Sequence, residues 1–248
     1  MINKAINAVI ISGMVLLSAG CASYQKEPAT SAMIAPDMQK AAKNNAALAI
    51  IYSERGMLDR AREKLMKAES QDGNLVEVYY ARGYYYQKLE FFKLAEKAYR
   101  QALIKAPDND EALNFYAQFL CRYRHEYGEA EKLFRRSVFA PDNTNLATTF
   151  LLWGQCELIQ NKPDEAELLF KKSIAQGGKN SEAYWHLAQI YAEKGQNEQA
   201  LKMLNDYIAR VGESRESLKL KITLLNRLGR SDEAAALRLQ ITSDYYRE

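Results

Sequence analysis

The sequence predicts an all-α protein, organised as a solenoid of six two-helix repeats. Three observations carry the prediction. Small and large residues recur in fixed columns with a period of 34. Gly and Pro are sparse, at 12 and 5 in 248 residues, while Ala, Leu, Glu, Lys and Tyr are abundant, the composition of a helical chain. Pro107 and Pro141 fall between repeats, where helices have to stop.

Residues 1–20 read as a secretory signal. Lys4 supplies the charged start, Val9 to Leu17 the apolar middle, and Ser18-Ala19-Gly20 the small residues of a cut site. The apolar run is about half of the roughly 20 residues that span a bilayer. It ends on Cys21, which an ordinary secretory signal does not require. Leu17-Ser18-Ala19-Gly20-Cys21 resembles a bacterial lipobox. The resemblance implies cleavage before Cys21, acylation of its thiol and a lasting lipid anchor, since one acyl chain alone holds only marginally. Ala22 rather than Asp follows the cysteine, which by the same resemblance directs the protein to the periplasmic face of the outer membrane.

Residues 21–37 form the predicted tether. The stretch is small, polar and broken by Pro28 and Pro36, and Asp37 is placed to cap the first helix. A flexible chain of this length reaches roughly 20–25 Å.

The repeat domain spans 38–248, with repeats near 42–75, 76–109, 110–146, 147–180, 181–214 and 215–248. Ala49, Ala61 and Ala68 recur 34 residues on as Gly83, Ala95 and Ala102. Ala117, Ala130 and Ser137 continue the columns, then Gly154, Ala166 and Ser173, then Ala188 and Ala200, then Ile222 and Ala234. Leu65, Tyr99, Phe134, Phe170 and Leu204 form a column of large residues. Small residues let two antiparallel helices approach, and large ones fill the space beside them. One repeat cannot bury its apolar face alone, so neighbours stack. The third repeat carries one extra residue before Ala130. The sixth is off-pattern at Ile222 and Arg238, as a solvent-facing terminal repeat tolerates. This pattern resembles the tetratricopeptide repeat, and the resemblance implies a right-handed superhelical solenoid.

Catalytic chemistry has no foothold. His125 and His186 lack cysteine or carboxylate partners at ligand spacing, so no metal site is predicted. There is no phosphate loop, nucleophile elbow or HExxH motif, and no cofactor is implied. Carboxylates such as Glu129/Glu131 and Asp164/Glu165/Glu167 begin second helices, where they suit the helix dipole. The charge is balanced, 34 basic against 31 acidic, which suggests no nucleic-acid partner. A repeat scaffold without a reactive cluster reads as an interaction protein with no small-molecule substrate.

Cys121 and Cys156 lie late in the first helices of adjacent repeats, and such helices lie side by side. Their repeat positions differ by about two residues. Spacing alone leaves open a disulfide or two buried free thiols. Asn114-Phe115-Tyr116-Ala117-Gln118-Phe119-Leu120-Cys121 and Leu152-Trp153-Gly154-Gln155-Cys156 resemble the two cysteine segments of the PilF/PilW family of type IV pilus biogenesis lipoproteins. That family links the two positions by a disulfide, which the resemblance implies here. It also implies a pilotin, a lipoprotein that binds secretin subunits and promotes their outer-membrane localisation and multimerisation. First-helix residues are expected to face the partner: Ala46, Ile50, Tyr80 and Tyr84 in the first two repeats. The alternative is a periplasmic scaffold for peptidoglycan hydrolases or barrel assembly.

Overall fold

The computed structural model describes residues 37–141, 143–177 and 180–245, with side chains through 239. The signal segment, Cys21 and the tether before Asp37 lie outside the described residues. Twelve α-helices run in order, and no strand occurs among the described residues. They are α1 (Met38–Glu54), α2 (Leu58–Asp72), α3 (Val76–Lys88), α4 (Phe92–Lys105), α5 (Asp110–Phe119), α6 (Tyr127–Val138), α7 (Leu146–Ile159), α8 (Pro163–Ala175), α9 (Glu182–Glu193), α10 (Asn197–Val211), α11 (Arg215–Arg227) and α12 (Ser231–Tyr245). Consecutive helices pair as six hairpins, the number of repeats expected, and α1 begins four residues before the first repeat expected near 42.

The helix starts are set locally. The Asp37 side chain accepts from the Lys40 N–H at 3.0 Å, and Asn109 from Ala112 at 2.8 Å. Ser214 and Ser217 form a reciprocal capping box, and Pro163 occupies the first turn of α8. Every hairpin turn uses one residue at positive φ: Gly56, Glu90, His125, Asn161, Gly195 and Gly229. That conformation costs a side-chain-bearing residue roughly 1–2 kcal/mol, and glycine much less. Half of the turns therefore carry a strained residue.

The extra residue of the third repeat is absorbed by a π-helical turn, Leu120–Arg124, that continues α5. The Glu126 N–H reaches back to the Leu120 carbonyl at 3.1 Å. One wider turn takes up one residue without breaking the helix. The columns read from the sequence become contacts inside each hairpin. Tyr99 lies on Gly83 and Phe170 on Gly154; all five large-column side chains are buried. The core runs as three clusters from end to end rather than as one centre. Even the off-pattern sixth repeat is packed, through Leu224, Leu225 and Ala234.

Candidate functional site: a cleft along the first helices

The first helices of the repeats line one face, and α3, α5 and α7 form a cleft of about 550 Å³ there, with Glu54 of α1 and Glu182 of α9 at its ends. Its residues follow the period. Tyr84, Gln118 and Gln155 each come one place after the small residue of their column. Glu54, Lys88 and Arg122 each come five places after it, forming charged rungs.

The aromatic end is tightly coupled. Phe115 stacks on Tyr80 at 5.0 Å between ring centres and meets Tyr84 edge-on at 5.5 Å. The Tyr80 hydroxyl donates to the Glu111 carboxylate. The Lys88 ammonium sits over the Tyr84 ring at 5.2 Å. Burial, with Glu54 nearby, pushes the Tyr84 hydroxyl up to about 12, and burial followed by Glu111 drives Tyr80 higher still. Both phenols are therefore neutral hydrogen-bonding groups at neutral pH.

The polar end is a relay across three repeats. Arg122 donates to the Gln155 side-chain carbonyl at 3.2 Å, and the Gln155 amide donates to Glu182 at 3.1 Å. The His186 ring lies 3.3 Å from that amide and stacks on Phe170 at 4.8 Å; burial holds its pKa below the usual range. At the floor, the Asn114 amide N–H donates to the Thr149 hydroxyl at 2.9 Å, while its carbonyl is buried without a hydrogen-bond partner among the described residues.

A disulfide joins Cys121 and Cys156, with sulfurs 2.12 Å and Cα atoms 5.9 Å apart. Cys121 belongs to the π turn, and its neighbour Arg122 and the Cys156 neighbour Gln155 are the bonded pair of the relay. The covalent link thus staples the irregular turn to α7 beside the cleft. Both cysteines are buried.

The four groove residues expected from the sequence do not lie together. Tyr84 lines the cleft although only 7% of it is exposed. Tyr80 is buried and reaches it only through Phe115 and Glu111. Ile50 is half-buried against the core clusters. Ala46 is fully enclosed and offers no surface, a correction to its expected role. The reason is geometric: Ala46 lies on the buried Ala42–Ala46–Ala49 face, where α1 packs against the helices beside it. The signal for the missed residues was nevertheless present. Carrying the columns of Tyr80 and Tyr84 along the period leads to Asn114 and Gln118, then to Leu151 and Gln155. His125 is exposed in its turn, 3.0 Å from the Tyr127 hydroxyl, and does not face the cleft.

Among the described residues no group of three or more His, Cys, Asp or Glu could hold a metal ion, and no helix is long and apolar enough to cross a membrane.

Comparison with known proteins agrees with this architecture. Tetratricopeptide-repeat family models match residues 80–145 and 157–222, together more than half of the chain. The type IV pilus assembly protein PilF of Pseudomonas aeruginosa is 29% identical over 130 residues, which is 51% of this chain and 50% of that protein. The match thus spans only half the length of this curated relative. Among solved structures, PilW, described as a widely conserved type IV pilus biogenesis factor, superposes with a TM-score of 0.69 at 24% identity, over 84% of this chain and 96% of that one. The P. aeruginosa PilF structure gives 0.66 at 25% identity, over 84% and 93%. No enzyme family is indicated by the models that match. The chain belongs to the tetratricopeptide-repeat family, and within that family it is similar to PilF and PilW of type IV pilus biogenesis.

Proposed function

We propose that this protein is a lipid-anchored pilotin of the outer membrane. Cys21 is the acylated residue, and the cleft of the repeat domain binds secretin subunits and promotes their localisation and multimerisation during type IV pilus biogenesis. The observation that carries the reading is the likeness to PilF and PilW along most of the repeat domain. The cleft supplies a means. It combines the Tyr84–Phe115 aromatic surface with amide and charged rungs, a lining suited to a polypeptide segment rather than to a reacting small molecule. The disulfide beside it ties the turn that carries Arg122 to α7, which limits the ordering cost of binding.

The test is genetic and biochemical together. Deletion should leave secretin subunits synthesised but poorly multimerised or mislocalised, with surface pili lost. Gln118→Arg, in the cleft and with no side-chain hydrogen bond among the described residues to lose, should reproduce that loss in a folded protein. Glu193→Lys, on an exposed position, should not. Normal heat-resistant secretin multimers in the deletion strain would overturn the proposal. Cys21→Ser should give a folded protein missing from outer-membrane fractions, and its normal recovery there would refute the anchor.

A further inference from the structure

The hairpin topology sorts the loops to two edges. Turns within hairpins lie at one edge, and connections between hairpins, together with the start of α1, lie at the other. The two most exposed large apolar side chains among the described residues, Phe139 at 81% and Ile104 at 80%, both lie at this second edge. They are not scattered. Ile104 stands two residues after Ala102, and Phe139 two residues after Ser137, so both occupy one repeat position in neighbouring repeats. Arg136, one turn before Phe139, donates to the Pro107 carbonyl at 2.6 Å and to Asp108 at 3.3 Å, which ties the end of α6 to the loop that follows Ile104. Met38, half exposed, opens α1 at the same edge, where the chain enters the repeat domain at Asp37.

We infer that this edge rests on a phospholipid bilayer, with Phe139 and Ile104 inserted at the level of the headgroups. The inference rests on the lipid-anchor reading of Cys21. Only the chain between Cys21 and Asp37 separates the acylated residue from the entry edge, and its length bounds the separation at about 55 Å. The anchor therefore holds this edge at high effective concentration near the bilayer, so that two apolar side chains suffice where they would not from free solution. The charge at the edge is mixed: Arg136 pairs with Asp108, and Asp72 and Lys105 end α2 and α4 there. The contact is accordingly apolar and only weakly dependent on salt. A bilayer suits the patch better than a second protein copy, because two side chains on a loop edge bury far less than a stable interface requires.

The experiment uses the full acylated chain in vesicles of phosphatidylethanolamine and phosphatidylglycerol. Phe139→Trp adds an indole at the edge, and Ile159→Trp adds one at the opposite edge. Emission is read after subtraction of the parent protein, which has two tryptophans. Lipids brominated near the headgroup should quench the indole at position 139 at least several-fold more than the one at 159. Ile104→Asp should reduce that quenching about tenfold. Equal quenching at both edges, or none at position 139 in protein shown by mass to be acylated and by flotation to be vesicle-bound, would overturn the inference while leaving the anchor intact. Protein that lacks the acyl mass and does not float would instead refute the anchor reading, and the docking with it. Shielding of position 139 that persists without lipid and grows with protein concentration would assign the patch to a second copy and also overturn the inference.

Discussion

The ring of Tyr99 lies so close over Gly83 that a Cβ built on the glycine would be 2.6 Å from its Cε1. The ring cannot easily retreat, because its hydroxyl donates to the Gln87 side-chain carbonyl at 2.9 Å, inside the core. Gly154 and Phe170 repeat the arrangement two hairpins on, at 2.7 Å. The small and large columns of the sequence are thus two halves of one contact.

Gly83→Ala tests this contact. Alanine favours the helix by up to about 1 kcal/mol, but overpacking a closed core site costs about 1–3 kcal/mol. A 2.6 Å approach to an anchored ring places the cost at the high end, so a net loss of about 1–2 kcal/mol is expected. Urea denaturation should show a lower midpoint, and Tyr99→Leu in the same chain should recover part of the loss. An unchanged midpoint in Gly83→Ala would mean that the ring is free to move.

The six positive-φ turns make a paired prediction. Glu90→Gly should raise stability by up to about 1 kcal/mol, because glycine removes the strain at φ 61°. Gly195→Val, at φ 72°, should lower it by about 1–2 kcal/mol or more. Neither residue is buried, so thermal midpoints compare backbone effects with little change in packing.

Removing the disulfide should loosen the cleft without unravelling the helices. The link closes a sequence separation of 35 residues, and its loss through Cys156→Ser should cost about 2–5 kcal/mol. Far-UV circular dichroism should be retained. Hydrogen exchange should rise first in Leu120–Arg124, where the π turn loses its staple. Uniform exchange across all repeats would contradict a local role.

His186 should make stability depend on mild acid. Burial against Phe170 lowers its folded pKa below the unfolded value of about 6.5, so the unfolded chain binds the proton first. Its contribution is complete above that value and declines as pH falls from about 6.5 toward the folded pKa. The lowered carboxylates Glu63, Glu167 and Glu233 act in a more acidic window, because their folded pKa values lie below the usual 4.5. Comparing urea midpoints at pH 7.5 and 5.5 isolates the histidine. The decrease expected in the parent should be absent in His186→Phe, and a decrease of equal size in the variant would assign the effect elsewhere.

The sequence alone determined the number of hairpins and the small-against-large columns, because a solenoid repeats one local solution and each helix buries only against its neighbours. It also marked Asp37 as a cap and located the third-repeat insertion, though not its form. The remaining contacts depend on how helices of different repeats are inclined and rotated. Whether Cys121 and Cys156 meet was open on spacing, and the Cα separation of 5.9 Å depends on how the π turn is set against α7. Ala46 and Tyr84 occupy equally plausible first-helix positions and both are buried, yet Ala46 is sealed in the face of α1 that packs on its neighbours while the edge of Tyr84 lines the cleft. The Arg122–Gln155–Glu182 relay joins three repeats separated by about thirty residues at each step. Periodicity names the helix that carries each residue; the rotation of that helix about its axis, set by packing on both sides, decides which of its side chains meet a partner.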